Sequence, residues 1–236
     1  MRTNAERMFF LASGAWFVLV TFVGFADTFF LRFAFIEDYG PIRSSLAIHG
    51  ALYTLWMVLY AVQAGLISTK RYALHKSLGL TSVILLIAIL PSGWYVVVEK
   101  FALGRKSVDE AWYNLGQITS GCVLALLAIA FRKKPYVHKR LMFAATAFLT
   151  LASVARAHEW FLENPSWWTR KLISASPLFA LIAFDFIRTR RIPMLALALF
   201  AWLWAVNAIY VFDPIAFSPF GKRMLNALAM FWGLEG

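Results

Sequence analysis

Residues 49–79 read HGALYTLWMVLYAVQAGLISTKRYALHKSLG. One histidine opens an apolar run, a basic turn follows, and a second histidine opens the next apolar run. At helical spacing His49, Tyr53, Trp56, Tyr60 and Gln63 fall on one stripe of one helix, whose remainder is mainly Leu, Val, Ala and Met. A helix needs roughly 20 apolar residues to cross a bilayer, and this run supplies them. Several others in the chain do the same, so the sequence predicts an all-α, polytopic membrane helix bundle.

Composition agrees. Of 236 residues, 61% are hydrophobic and 15% charged, where a soluble domain carries about a quarter charged. Strict two-residue alternation is absent, which argues against a β-barrel. The net charge of +11 comes from basic residues in short loops between apolar runs. That pattern orients helices in a membrane and makes no case for nucleic acid. Cys122, the single cysteine, lies inside an apolar run, so no intrachain disulfide and no CxxC motif exists. The N-terminal stretch imitates a signal peptide, but its apolar part is long for a cleaved one and reads as a retained first helix.

The apolar runs predict seven spans, near 9–31, 44–68, 77–98, 111–131, 138–162, 172–190 and 194–212. Spans 2 to 5 form a four-helix core of two hairpins, 44–98 and 111–162, and the others flank it. The tail, 213–236, is too interrupted to cross, and its later part reads as an amphipathic helix in the interface. Arg2, Arg7, Lys70, Arg71, Lys76, Arg132, Lys133, Lys134, Lys139, Arg140, Arg188, Arg190 and Arg191 fall on one side, 13 of 23 basic residues. Glu37, Asp38, Glu99, Asp109, Glu110, Glu159 and Glu163 lie toward the other. The expectation is a bacterial inner-membrane protein with its N-terminus cytoplasmic and its C-terminus outside.

Leu74-His75-Lys76-Ser77-Leu78 resembles Val137-His138-Lys139-Arg140-Leu141, 63 residues later. Each opens a helix after a basic turn, so the two hairpins read as a pseudo-symmetric pair. Pro91 and Pro177 sit inside spans, where kinks are expected unless neighbours satisfy the freed carbonyls. Trp94, Tyr95, Trp112, Tyr113, Trp160, Trp167 and Trp168 suit an aromatic belt at the headgroups.

Polar residues at membrane depth fall into two groups. The inner group is His75 and His138 with Lys70, Arg71, Lys76, Lys139 and Arg140. Two imidazoles facing each other from separate helices can supply both axial ligands of haem b or hold another metal ion, and the cations suit its propionates. His75, Gly79, Ser82, Leu86, Ile89 and Gly93 form one stripe with small residues that leave room for a flat group. The same residues also suit interfacial histidines beside lysines that touch anionic lipid.

The outer group is Asp27, His49, Asn114, Gln117, Arg156 and His158. Arg156 follows His138 by 18 residues, five whole turns, so the two share a helix face. A buried arginine needs an anionic partner, and Asp27 is a candidate; a quinone, a haem propionate or another polar headgroup would serve as well. A structural Asp27–Arg156 pair fixing helix packing is the simpler alternative. His158 lies about 200° around an ideal helix from His138, so His158-Glu159-Trp160 reads as an outer interfacial group. Metal binding at His158, Glu159 and Glu163 is a further option. Asp185 reads as a local partner of Arg188. The chain has no P-loop, GxGxxG, GxSxG or HExxH motif, and span 7 has no lysine for a retinal Schiff base.

The pattern His49…Trp56…Gln63…His75-Lys76-x-x-Gly79, then His138-Lys139-Arg140-Leu141-Met142, resembles a family of small bacterial inner-membrane proteins. Their helices carry a His, a Gln, a His-basic pair and a His-Lys-Arg-Leu segment. It also looks broadly like the four-helix membrane cytochromes and haem-A-synthase-type proteins. That likeness implies haem-ligand roles for His75 and His138, and polar-site roles for His49 and Arg156. The expected function is a respiratory-chain redox protein binding haem b or another metal ion, with a quinone-like ligand near His49 and Arg156. The alternatives are a non-catalytic subunit or assembly factor among the partner subunits of a respiratory complex, and a small transporter with Asp27, Arg156 and Gln117 along its path.

Overall fold

A computed structural model describes residues 4–35, 40–207 and 211–234. It is an all-α bundle; the described residues contain no strand. Helix α1 (Asn4–Gly24) continues into one π-helical turn (Ala26–Phe30) and a short helix α2 (Arg32–Phe35). Then come α3 (Ser44–Ser68), α4 (Tyr72–Ala102), α5 (Val108–Ala130), α6 (Pro135–Leu149) and α7 (Leu151–Ala157). A 3-10 turn (His158–Trp160) leads toward α8 (Trp167–Thr189), α9 (Met194–Asn207), α10 (Asp213–Ala216) and α11 (Pro219–Phe231).

The turns have local causes. Between α3 and α4 the chain reverses at Lys70, which adopts φ 61°. Arg71 N–H bonds Leu66 C=O at 2.8 Å and Lys70 N–H bonds Ile67 C=O at 3.2 Å, closing the last carbonyls of α3. Gly104, at φ 66°, plays the same part after α4. Ser107 then caps α5 in a reciprocal box with Glu110. Pro135 sits in the first turn of α6, where its missing N–H is harmless.

Helix α1 packs on α3 and α7, α3 on α4, α4 on α5, and α5 on α6, while α8 pairs with α9. The core is apolar and draws on Phe17, Trp56, Met57, Ile89, Phe143, Phe148, Leu178 and Leu203. Helix α1 is therefore part of the core and not a flanking element. Its close crossing with α7 needs Gly24, where a Cβ would stand 2.2 Å from Ser153 O. Leu80, Ile84 and Ile87 of α4 project outward, exposed by 62–71%, as expected of a surface that meets lipid.

Among the described residues, α1, α3, α4, α5 and α8 are long and apolar enough to cross a membrane. Helices α6 and α7 make a sixth span only as a broken pair, bent by 52°. The break is at Thr150, whose hydroxyl bonds back to Thr146 C=O at 2.9 Å and Ala147 C=O at 3.0 Å, a back-bonding that bends helices. Helices α4 and α8 run on through Pro91 and Pro177. The seven-span expectation is thus five, or six with the broken pair. The seventh, expected over 194–212, is a 14-residue helix, Met194–Asn207; residues 208–210 of the expected span lie outside the described residues.

Helix α11 is amphipathic, as expected. Leu225 and Ala229 pack with Val97, Val98, Trp112 and Leu115 of α4 and α5, while Phe220, Met230 and Phe231 stay exposed. Its inner face is covered by protein and its outer face carries exposed aromatics.

Candidate functional site

His75 lies in the first turns of α4 and His138 in those of α6, each just after a basic reversal of the chain. The two rings stand in a T-shaped, edge-on contact, with centres 6.4 Å apart and planes at 82°. His138 is anchored: its Nδ1–H donates at 2.7 Å to Ala128 C=O, one of the last carbonyls of α5 that lack a helical partner. That bond leaves Nε2 with its lone pair, the arrangement usual for a metal-ligating histidine.

His75 is contacted at Nδ1 by the Gln63 amide of α3. With the amide nitrogen toward the ring, Gln63 also donates to His75 C=O at 3.2 Å, and its oxygen accepts from Gly79 N–H at 3.1 Å. Nδ1 is then an acceptor, and the neutral ring carries its proton on Nε2. Rotating the amide by a half turn reverses the contact: the oxygen accepts Nδ1–H, and Nε2 presents a lone pair. In that orientation the amide oxygen faces His75 C=O and the amide nitrogen faces Gly79 N–H, so the surrounding backbone favours the nitrogen toward the ring. Amide and tautomer therefore turn together.

A cavity of about 1010 Å³ adjoins the pair, at the upper end of ordinary ligand sites. Trp56, Tyr60 and Gln63 form its α3 wall, Gly79 and Ser82 its α4 wall, and Met142 closes it from α6. Lys76, Arg132 and Lys133 stand at its rim. Leu80 also lines it and is 67% exposed, so the cavity opens sideways on the lipid-facing surface. A smaller cavity of about 110 Å³ lies on the other side of the histidines, beside Glu6, Arg7 and Lys139.

These residues fit haem. Metal–imidazole bonds of about 2.0–2.1 Å on either side of one ion, plus the ring radii, place two ring centres roughly 6–6.5 Å apart. The observed spacing agrees, the small residues of α4 leave room beside the rings, and the rim carries cations for propionates. The fit requires Gln63 in the orientation that accepts Nδ1–H from His75. Among the described residues no cluster of three or more His, Cys, Asp or Glu side chains could hold a metal ion, so a metal here would depend on the histidine pair.

Two of the cations expected at the rim are committed elsewhere. Arg140 is 1% exposed and forms a two-pronged ion pair with Asp185, with Nε–Oδ2 at 2.6 Å. It also donates to Tyr136 C=O at 3.0 Å and lies 3.6 Å over the Tyr136 ring. Lys139 pairs with Glu6, which also holds Arg188 at 2.7 Å. The local Asp185–Arg188 pair expected from spacing is replaced by long-range pairs joining α1, α6 and α8, because Asp185 faces the core with no exposed surface. The network, with carboxylates Glu6 and Asp185 and cations Lys139, Arg140 and Arg188, fixes α6 and hence His138. Glu6 was not singled out from sequence. Its signal was being the one acid before Asp27 in a basic N-terminus.

The outer group does not converge as expected. The His49 ring lies against Tyr53, ring centres 4.3 Å apart and planes tilted by 42°, and its Nδ1 is buried without a hydrogen-bond partner among the described residues; it lines neither cavity. Asp27 and Arg156 form no ion pair within 4.0 Å among the described residues. Arg156 instead donates to Thr28 Oγ1 at 3.3 Å and covers the Phe25 ring at 4.9 Å. The cause is the π turn: Phe30 N–H reaches back five residues to Phe25 C=O, which shifts Asp27 out of simple helical register. The Asn114 amide donates to Glu110 C=O of its own helix, and Gln117 is buried within α5. His158 is 5% exposed and bonded through Nδ1 to Val154 C=O at 3.1 Å. It is thus not part of an interfacial group with the exposed Glu159 and Trp160, because the break at Thr150 redirects it. Glu37 and Asp38 lie outside the described residues.

Compared with protein-family models, curated proteins and solved structures, the chain matches none.

Proposed function

We propose that this protein is a membrane electron carrier that holds haem b between His75 and His138. The observation that carries the reading is the pair of adjacent rings, centres 6.4 Å apart, beside a cavity of about 1010 Å³. His138 would offer Nε2 because Ala128 C=O holds its Nδ1–H. His75 would offer Nε2 when Gln63 accepts its Nδ1–H. Lys76, Arg132 and Lys133 would bind the propionates at the rim. Trp56, Tyr60 and Met142 would exclude water from the bound face. Haem, when bound, supplies one-electron redox chemistry at a potential set by its ligands and their hydrogen bonds.

The basic residues gathered at the N-terminal end support a bacterial inner-membrane location with that end cytoplasmic. The redox partners would then be neighbouring subunits or lipid-soluble carriers.

The Gln63 contacts favour a second reading of the same cavity. With His75 as the Nε2–H donor and His138 as the Nε2 acceptor, the pair matches the carbonyl and hydroxyl oxygens of a quinone in its two redox states. The lateral opening past Leu80 would admit it from the bilayer.

Absorption spectra of the full chain, purified from cells supplied with haem and recorded oxidised and reduced, test both. A Soret band lost in His75→Ala and in His138→Ala, and kept in His49→Ala, supports haem. A colourless protein that co-purifies with extractable quinone supports the second reading. A protein with neither, and with no bound metal, sinks both.

A further inference from the structure

The two cavities share a wall. Tyr60, Gln63, His75, His138 and Met142 line both, so the smaller one, about 110 Å³, lies against the same ring pair as the larger. Glu6, Arg7 and Phe10, from the first two turns of α1, line the small cavity and not the large one. Lys139 of α6 lines it as well.

Two of the charged groups there satisfy each other: Glu6 pairs with Lys139, and also holds Arg188 at 2.7 Å. Arg7 stands apart. No carboxylate of the described residues lies within 4.0 Å of it. Residues 1–3 are Met-Arg-Thr and carry no acidic side chain. Glu37 and Asp38 follow α2, beyond the opposite end of α1, and so few residues cannot return along a helix about 30 Å long. Arg7 Nη2 donates to Tyr72 Oη at 3.4 Å, and Tyr72 lines the large cavity beside Lys76. Arg7 and the rim cations therefore flank the ring pair at the same end of the bundle. Arg7 Nε is buried and has no hydrogen-bond partner. A buried guanidinium N–H without an acceptor is unfavourable, so an acceptor belongs beside it.

We propose that Arg7 binds one propionate of the haem in the small cavity and leaves the other to the rim cations. The proposal rests on the haem reading above. Charge selects an anion over water: Glu6 is already outnumbered by Lys139 and Arg188, and a guanidinium bonds a carboxylate about twice as strongly as a neutral acceptor. The cavity would hold three or four water molecules at ~30 Å³ each, which is room for a carboxylate on a short stem. Lys76, Arg132 and Lys133 are exposed, where an ion pair contributes little, whereas Arg7 is half-buried. The stronger of the two contacts thus falls to α1, which becomes part of the ligand site.

The test titrates the full chain in detergent with haem and with haem dimethyl ester, whose propionates carry no charge. Each dissociation constant is read from the absorption change. Wild type is expected to hold haem more tightly than the ester. Arg7→Gln should weaken haem about 10-fold, the coupling of a partly buried charge pair, and the ester less than about 2-fold. Arg7→Lys, which keeps the charge, should lose less haem affinity than Arg7→Gln. Folding is checked by circular dichroism. Should Arg7→Gln not fold, Arg7→Lys is read in its place, and it should still weaken haem more than the ester. Equal weakening of both ligands in a folded variant, or equal affinity of wild type for the two, overturns the proposal and leaves the haem reading standing. A wild type that binds neither ligand overturns the haem reading and this proposal with it.

Discussion

Arg140 and Asp185, 45 residues apart in the chain, meet as a buried two-pronged ion pair, with Nε–Oδ2 at 2.6 Å and both residues at most 1% exposed. Removing one partner leaves the other charged and dry, which costs roughly 3–5 kcal/mol, whereas replacing both with apolar groups of similar size is often neutral. Asp185→Asn should therefore lower the midpoint of thermal unfolding sharply, while Arg140→Met/Asp185→Leu recovers most of the loss. Equal damage from the double variant would mean that Glu6 and Tyr136 depend on Arg140 more than Asp185 does.

Gly24 separates α1 from α7 by less than a side chain. A Cβ there would stand 2.2 Å from Ser153 O, a backbone atom that cannot swing away. Overpacking of this kind costs about 1–3 kcal/mol. Gly24→Ala should unfold at a lower temperature in detergent. Gly65→Ala, where a Cβ meets only the Leu11 side chain at 4.0 Å, should be neutral or slightly stabilising. The two variants form a matched pair, and equal midpoints would show that the crossing relaxes.

The α3 boundaries, Ser44–Ser68, follow from an apolar run ending at a Thr-Lys-Arg turn, and the structure reproduces the expected 44–68. His75 and His138 could be placed at one depth because each opens a helix after a basic turn. Periodicity says which residues share a face but not which face meets which. Asp185 therefore looked local to Arg188, although Arg140 claims it. The break at Thr150 was hidden because a threonine within an apolar run carries no signal as strong as proline. The π turn defeated the Asp27–Arg156 expectation for a related reason: one extra residue in a turn changes every later facing, and nothing in the sequence marks it.

Lys106, in the loop before α5, has its ammonium pKa lowered, chiefly by burial, with Arg156 adding to the shift and Glu110 opposing it. The folded chain then holds this proton less tightly than the unfolded chain does. The destabilisation is fully present below the lowered pKa and is relieved as pH rises toward the ordinary lysine value. Between pH 7 and pH 10, wild type should gain thermal stability relative to Lys106→Gln. Parallel unfolding curves across that range would place Lys106 in open solvent.

Gln63 touches His75 at Nδ1 without being a candidate ligand itself, so its role can be separated from that of the ligands. If His75 binds a metal through Nε2, the amide oxygen accepts Nδ1–H, fixes the tautomer and makes the ring more basic. Losing such a partner typically weakens metal affinity 10–100-fold. Gln63→Leu keeps the volume and removes the contact. It should retain a visible spectrum with a shifted reduction potential and faster haem loss to an apo-protein acceptor, whereas His75→Ala abolishes the spectrum. Gln63→Glu places an acceptor-only group on Nδ1, so it should hold the ligating tautomer and lower the potential relative to wild type. Identical potentials in wild type, Gln63→Leu and Gln63→Glu would show that His75 does not carry the iron, and the spectrum would then have to come from His138 with another axial group.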